Sequence, residues 1–121
     1  MTYDDQNIFA KILRGEIPCN KIYEDDFILS FYDINPQKKI HALVIPKGKY
    51  VNLDDFSQNA SQDEMVGLLK GINIVAKKLN ISADTGKGYR ALANISEDGG
   101  QEVPHLHFHL FGGEKIGKMV S

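Results

Sequence analysis

The chain has 121 residues and a mass of 13.5 kDa, enough for one two-layer core and too short for two independent ones. Its 42% hydrophobic and 25% charged residues are those of a soluble globular protein, and a formal charge of −2 gives no general attraction to nucleic-acid backbones or anionic membranes. Cys19 is the only cysteine, which excludes an intrachain disulfide and a multi-cysteine zinc cluster. A reducing compartment suits such a chain. The polar start Met1-Thr2-Tyr3-Asp4-Asp5 lacks the basic and apolar regions of a secretory signal, and no apolar run approaches the roughly 18 to 20 residues of a membrane span. The expectations are a single domain over residues 1–121, a cytoplasmic location, and neither a membrane nor a nucleic-acid partner.

Residues 1–4 read as a flexible lead, after which Asp5 is placed to cap a short helix from Gln6 to Arg14. Ile8, Phe9, Ile12 and Leu13 make one apolar stripe on that helix. Gly15 offers a C-terminal stop, and Pro18 discourages resumption. Asn20 to Tyr23 and Phe27 to Tyr32 read as two strands of a hairpin around the polar Glu24-Asp25-Asp26 turn. Those three acids lack the spacing of a cation motif and read as a solvated turn. Asp33 follows the second strand just before Pro36, where a carboxylate commonly caps a turn.

Ile40 to Ile45 is the third strand, with His41, Leu43 and Ile45 on one face and Ile40, Ala42 and Val44 on the other. Asn52 to Asn59 reads as a polar approach to a long helix. Ser61-Gln62-Asp63-Glu64 opens that helix with a capping box, and Met65, Leu68, Leu69, Ile72, Val75, Ala76 and Leu79 carry it to about Asn80. Gly67 and Gly71 each cost about 1 kcal/mol of helix propensity and permit close packing against the sheet or another subunit. Tyr89 to Ile95 is the fourth strand, followed by the permissive turn Ser96-Glu97-Asp98-Gly99-Gly100. The helices do not alternate regularly with the strands, so the expected class is α+β, a mainly antiparallel sheet with one short and one long helix.

The last strand carries the chemistry. His105, His107 and His109 stand at two-residue spacing between glycine pairs, on one face, with Leu106, Phe108 and Leu110 on the other. The apolar triplet wants a core, which leaves the imidazoles to face a surface or cleft. Like titratable rings side by side add little stability, because protonating one opposes protonating its neighbour. Alternation alone leaves two readings open. The rings could converge on a zinc ion, or they could attack, accept and donate protons near neutral pH.

The segment His105-Leu-His107-Phe-His109-Leu-Phe resembles the signature of the histidine triad (HIT) family of nucleotide hydrolases and transferases. Its context is similar to the purine nucleoside phosphoramidase branch: Ile8-Phe9-Ala10-Lys11-Ile12 with Glu16-Ile17-Pro18, then Tyr23 to Asp26, Phe31 to Gln37, His41 to Pro46, Gly88-Tyr89-Arg90, Asn94 and Gly99-Gly100-Gln101. The matching stretch spans residues 8–113. The resemblance implies a HIT-like fold whose sheet continues across a homodimer. It implies that His107 attacks the α-phosphorus of a nucleoside phosphoramidate and forms a covalent nucleotidyl-histidine. His105 and His41 orient neighbouring rings, and His109 donates to a phosphoryl or leaving-group oxygen. Phe9, Ile12, Ile17 and Ile34 are implied as walls for a purine base, Asp33 as acceptor for the ribose hydroxyls, and Gln101 and Asn94 as phosphate contacts.

The expected ligand is a purine nucleoside monophosphate or phosphoramidate, with no metal and no cofactor. A diadenosine polyphosphate hydrolase and a nucleotide-responsive interaction module are the alternatives. Glu102 follows Gln101 where some family members carry serine, and an ionised carboxylate can only accept hydrogen bonds. Leaving-group preference is therefore the least constrained part of the reading.

Overall fold

The computed structural model describes residues 2–120. Five strands form one antiparallel sheet in the order β1-β2-β3-β5-β4, with β1 at Lys21–Glu24, β2 at Ile28–Tyr32, β3 at Ile40–Pro46, β4 at Arg90–Leu92 and β5 at Phe108–Gly112. Asp25 makes the first hairpin by accepting from the Phe27 and Ile28 amides at 2.8 and 3.0 Å. β3 is central because its residues are apolar on both faces. Ala42 and Val44 join Ile28, Leu68, Ile72, Val75, Leu106 and Leu110 on one side, while Leu43 and Ile45 join Phe9, Leu29 and Phe31 on the other.

Four helices are present among the described residues, where one short and one long were expected. α1 spans Ile8–Leu13, and its cap is Asn7, whose side chain accepts from the Ala10 amide at 2.9 Å. Asp5 instead pairs with Lys49 at 2.8 Å. α2 spans Leu53–Asn59 and turns the expected polar approach into a helix: Asn52 caps the Asp55 amide and Phe56 is buried. The signal was present in the sequence as an asparagine cap followed by Leu53 and Phe56 three residues apart. α3 spans Gln62–Lys78 with the reciprocal Ser61–Glu64 capping box in place. α4 is a four-residue helix, Ser96–Gly99, within the expected turn, closed by Gly100 in the left-handed region at φ 75°.

The glycines of α3 face the sheet. A Cβ at Gly67 would stand 2.6 Å from Phe27 Cγ, and one at Gly71 would overlap Ile28 Cδ1. No helix among the described residues is long and apolar enough to cross a membrane.

Two strands are shorter than their patterns suggested. β4 stops at Leu92, before the backbone turns into α4. β5 begins only at Phe108, so His105 and His107 lie ahead of the ladder. The alternation nevertheless survives: Leu106 and Leu110 enter the α3 core, and the histidines turn to the face covered by α1.

Candidate active site

α1, the end of β2, the loop after it, β3, β5 and the turn after α4 enclose a cleft of about 520 Å³, within the roughly 300 to 1,000 Å³ usual for small-molecule sites. Its apolar side is lined by Phe9, Ile12, Ile17, Phe31, Ile34 and Leu43, and its polar side by Asp33, His41, Asn94, Glu102, His107 and His109. Four of the expected base-pocket residues therefore share one wall: Phe9, Ile12, Ile17 and Ile34. Ile34 stands at the mouth and is 87% exposed.

The three triad rings are not equivalent. His105 is fully buried and does not line the cleft, contrary to the expectation that all three rings face open space. Its Nε2 lies 2.9 Å from the Pro46 carbonyl, which can only accept, so Nε2 carries the proton. Its Nδ1 is then a lone pair and accepts from the Tyr3 hydroxyl at 2.6 Å. The His105 carbonyl in turn accepts from His107 Nδ1 at 2.7 Å. That bond assigns the His107 proton to Nδ1 and leaves Nε2 as a lone pair. Phe9 packs edge-on against His107 at a centroid distance of 4.9 Å and holds the ring from the α1 side.

A second hydrogen-bond chain fixes His109. The Gln37 amide donates to His41 Nδ1 at 3.1 Å, so His41 carries its proton on Nε2. Nε2 lies 2.9 Å from His109 Nδ1 and 3.4 Å from Asp33 Oδ2, and the shorter contact takes the proton. His109 therefore accepts at Nδ1 and keeps its own proton on Nε2. The two chains put complementary groups on adjacent rings whose centroids are 5.0 Å apart: a bare nitrogen on His107 and an N–H donor on His109.

Burial keeps these rings neutral. It pushes His105 down to about 4. It also pushes His109 down to about 4, helped by the neighbouring His107 and His41 rings. His107 is lowered by burial against the opposing pull of the His105 carbonyl, Asp33 and Glu102. His41 is lowered by burial against Asp33. A neutral imidazole is the form with a nucleophilic nitrogen.

Asp33 is anchored through Oδ1, which accepts from the Asn35 amide at 2.8 Å, while Oδ2 points toward His41. Asp33, His41 and His109 each bring one ligand atom within 4.8 Å of the others and form, among the described residues, a group that could hold a metal ion. His41 Nε2 and His109 Nδ1 already satisfy one another, so a metal would have to displace that bond.

Gln101 is not brought into the cleft. Its Nε2 donates to the Val51 and Val103 carbonyls at 2.6 and 3.0 Å, and its Oε1 accepts from the Ser96 amide at 3.1 Å. Both donors of the amide are thus used to brace the turn before the histidines. Sequence reasoning missed Gln37, which acts through its backbone amide, and Tyr3, in the segment read as flexible. A backbone donor leaves no side-chain signature, so Gln37 was not identifiable by residue type.

The HIT domain family matches this chain over residues 14–116. A HIT-like protein of Azospirillum brasilense is 51% identical over 120 residues, covering 99% of this chain and 96% of that protein. The purine nucleoside phosphoramidase of Escherichia coli K12 is 38% identical over 117 residues, covering 97% of this chain and 95% of the enzyme. The solved HIT family hydrolase from Clostridium thermocellum superimposes with a TM-score of 0.85 at 35% identity, covering 98% of this chain and 99% of that one.

Proposed function

Because the chain belongs to the HIT-domain family, whose activity at family level is that of nucleotidyl or phosphoramidase-type hydrolases, we propose that it hydrolyses purine nucleoside phosphoramidates of the adenosine phosphoramidate type. The observation that carries this reading is the bond from His107 Nδ1 to the His105 carbonyl, which leaves Nε2 as a lone pair in the cleft.

His107 Nε2 attacks the α-phosphorus. A P–N bond to the imidazole forms as the P–N bond to the leaving group breaks, and the leaving nitrogen departs as an amine with a proton from water. His109 Nε2–H donates a hydrogen bond to a phosphoryl oxygen and offsets the charge that builds there. Water then displaces Nε2 from phosphorus, releasing the nucleoside monophosphate and restoring the neutral ring. The apolar wall of Phe9, Ile12, Ile17 and Ile34 takes the purine, Asp33 accepts from the ribose hydroxyls, and Asn94 positions the phosphate. Gln101 contributes by bracing the turn that lines the cleft.

Glu102 favours an amine over a polyphosphate as leaving group. Its exposed carboxylate lines the same cleft and would repel additional phosphates. This separates the reading from diadenosine polyphosphate hydrolysis, and turnover measured on both substrate classes tests it.

A homodimer accompanies the reading. β4 lies at the end of the sheet order, and Val66 and Leu69 of α3 are 50% and 70% exposed, so a second copy could continue the sheet and cover the helix. The mass in solution should be near twice 13.5 kDa, and a monomer at all concentrations would overturn it. The cytoplasm is the proposed location, because a chain with a lone cysteine suits a reducing compartment.

The direct test of function is His107→Ala assayed on adenosine phosphoramidates. Turnover should be lost while nucleotide binding persists, and an unchanged rate would remove His107 as the nucleophile.

A further inference from the structure

The stretch that presents the nucleophile is not held by the sheet. β5 starts at Phe108, so the carbonyl of His105, which sets the His107 tautomer, lies outside the ladder hydrogen bonds. Its place depends on individual anchors. The Leu106 amide donates to the Tyr50 carbonyl at 2.8 Å, and the His105 ring is pinned at both nitrogens, by Pro46 on one side and Tyr3 on the other.

Tyr3 reaches His105 from 102 positions away in sequence. The segment behind it is ordered by its own bonds. Asp4 accepts from the Gln6 amide at 2.9 Å and, through its carbonyl, from the Asn7 side chain at 2.7 Å. Asp5 is tied by its carbonyl to Arg14 and by its carboxylate to Lys49, each at 2.8 Å. The Tyr3 ring stands edge-on to His105 with centroids 5.6 Å apart. Tyr3 to Asn7 thus form a strap fastened across the back of the site.

We propose that Tyr3 is a positioning residue for the nucleophile: with the Pro46 carbonyl keeping the His105 proton on Nε2, the Tyr3 hydroxyl donates to Nδ1 and pins that ring in one orientation, and so fixes the carbonyl that keeps the proton of His107 on Nδ1. Without the hydroxyl, His105 Nδ1 is a buried acceptor with no partner, and the ring is held at one nitrogen only, by Pro46. A ring fastened at one point can rotate about that bond, and the His105 carbonyl loses its fixed position relative to His107. The base pocket is built by Phe9 and Ile12 of α1, Ile17 after that helix and Ile34 after β2, none of which bonds the Tyr3 hydroxyl, so nucleotide affinity does not depend on this contact.

This inference rests on His107 being the nucleophile of a phosphoramidase. Tyr3→Phe keeps the ring and removes only the hydroxyl. It should lower kcat on an adenosine phosphoramidate by about threefold to tenfold, the equivalent of one neutral hydrogen bond, with KM within about twofold. Nitrogen-15 NMR of the histidine rings supplies the readout that a general packing role would not move. In the wild type His105 should be protonated at Nε2 and His107 at Nδ1, and in the variant His105 should keep its proton on Nε2 while the His107 signals move to an exchanging mixture of the two tautomers. Unchanged kcat, or a lowered kcat with unchanged His107 signals, would overturn the proposal. If the wild type turns over no phosphoramidate, the functional reading fails, and the His107 signals still decide whether Tyr3 holds the carbonyl that sets that ring's tautomer.

Discussion

His41 Nε2 and His109 Nδ1 meet at 2.9 Å although the two residues are not partners in the sheet register. Across β3 and β5, His41 pairs with Phe111 and Leu43 with His109, so the rings meet on the diagonal. This contact leaves the His109 proton on Nε2, facing the cleft.

His41→Ala should therefore damage catalysis more than binding. His109 loses the donor to Nδ1 and is free to take the other tautomer, with its lone pair toward the phosphate. Supporting contacts of this kind are worth about tenfold to a hundredfold in activity. Steady-state kinetics should show the loss in kcat with KM for the nucleotide nearly unchanged. An equal loss in nucleotide affinity would place His41 in the binding pocket instead.

Turnover should be flat through neutral pH and fall on the acid side, with the acid limb of kcat/KM below the ordinary histidine value of about 6.5. Burial lowers His107 and His109, so both stay neutral where a free histidine would begin to protonate. A pH–rate profile with its acid midpoint at or above that ordinary value would contradict the burial argument.

The same buried rings make the fold acid-sensitive. His105 and His109 sit at about 4 when folded, so between that value and about 6.5 the unfolded chain binds more protons than the native one. Their neutral burial is tolerated in full above the unfolded value, and stability falls as the pH drops through this window. Thermal melts at stepped pH should show the midpoint falling over that interval, and His109→Gln should flatten the dependence.

Gly71→Ala should destabilise the protein although alanine is the better helix former. The added Cβ would overlap Ile28 Cδ1, and Ile28 is fully buried. Overpacking costs about 1 to 3 kcal/mol, against a propensity gain of about 1 kcal/mol. Denaturant titration should show the loss, and Ile28→Val in the same chain should recover part of it by removing the colliding methyl group.

Prolonged treatment with EDTA should leave turnover unchanged, because the proposed nucleophile is an imidazole nitrogen and no step needs a Lewis acid. Asp33, His41 and His109 are close enough to hold an ion. A rate lost on chelation and restored by zinc would therefore transfer the chemistry to that group.

Local pattern was enough to give the α+β sheet, the Ser61–Glu64 capping box and the division of the last strand into an apolar and an imidazole side, because side-chain periodicity and capping depend on neighbours a few residues apart. The ordered motifs also made the family and the four histidines legible. Tertiary structure decided how those histidines differ. His105 and His109 have the same spacing from His107, yet one is sealed between Tyr3 and Pro46 while the other borders the cleft beside His41. Their partners lie 102, 59 and 68 positions away in sequence, and those contacts assign each proton and remove each ring from water. The same reason explains Gln101, whose amide suits a phosphate by type and is spent on Val51 and Val103 by folding. Residue type and spacing determined which groups this protein has to work with, and packing across the sheet determined which nitrogen is left to react.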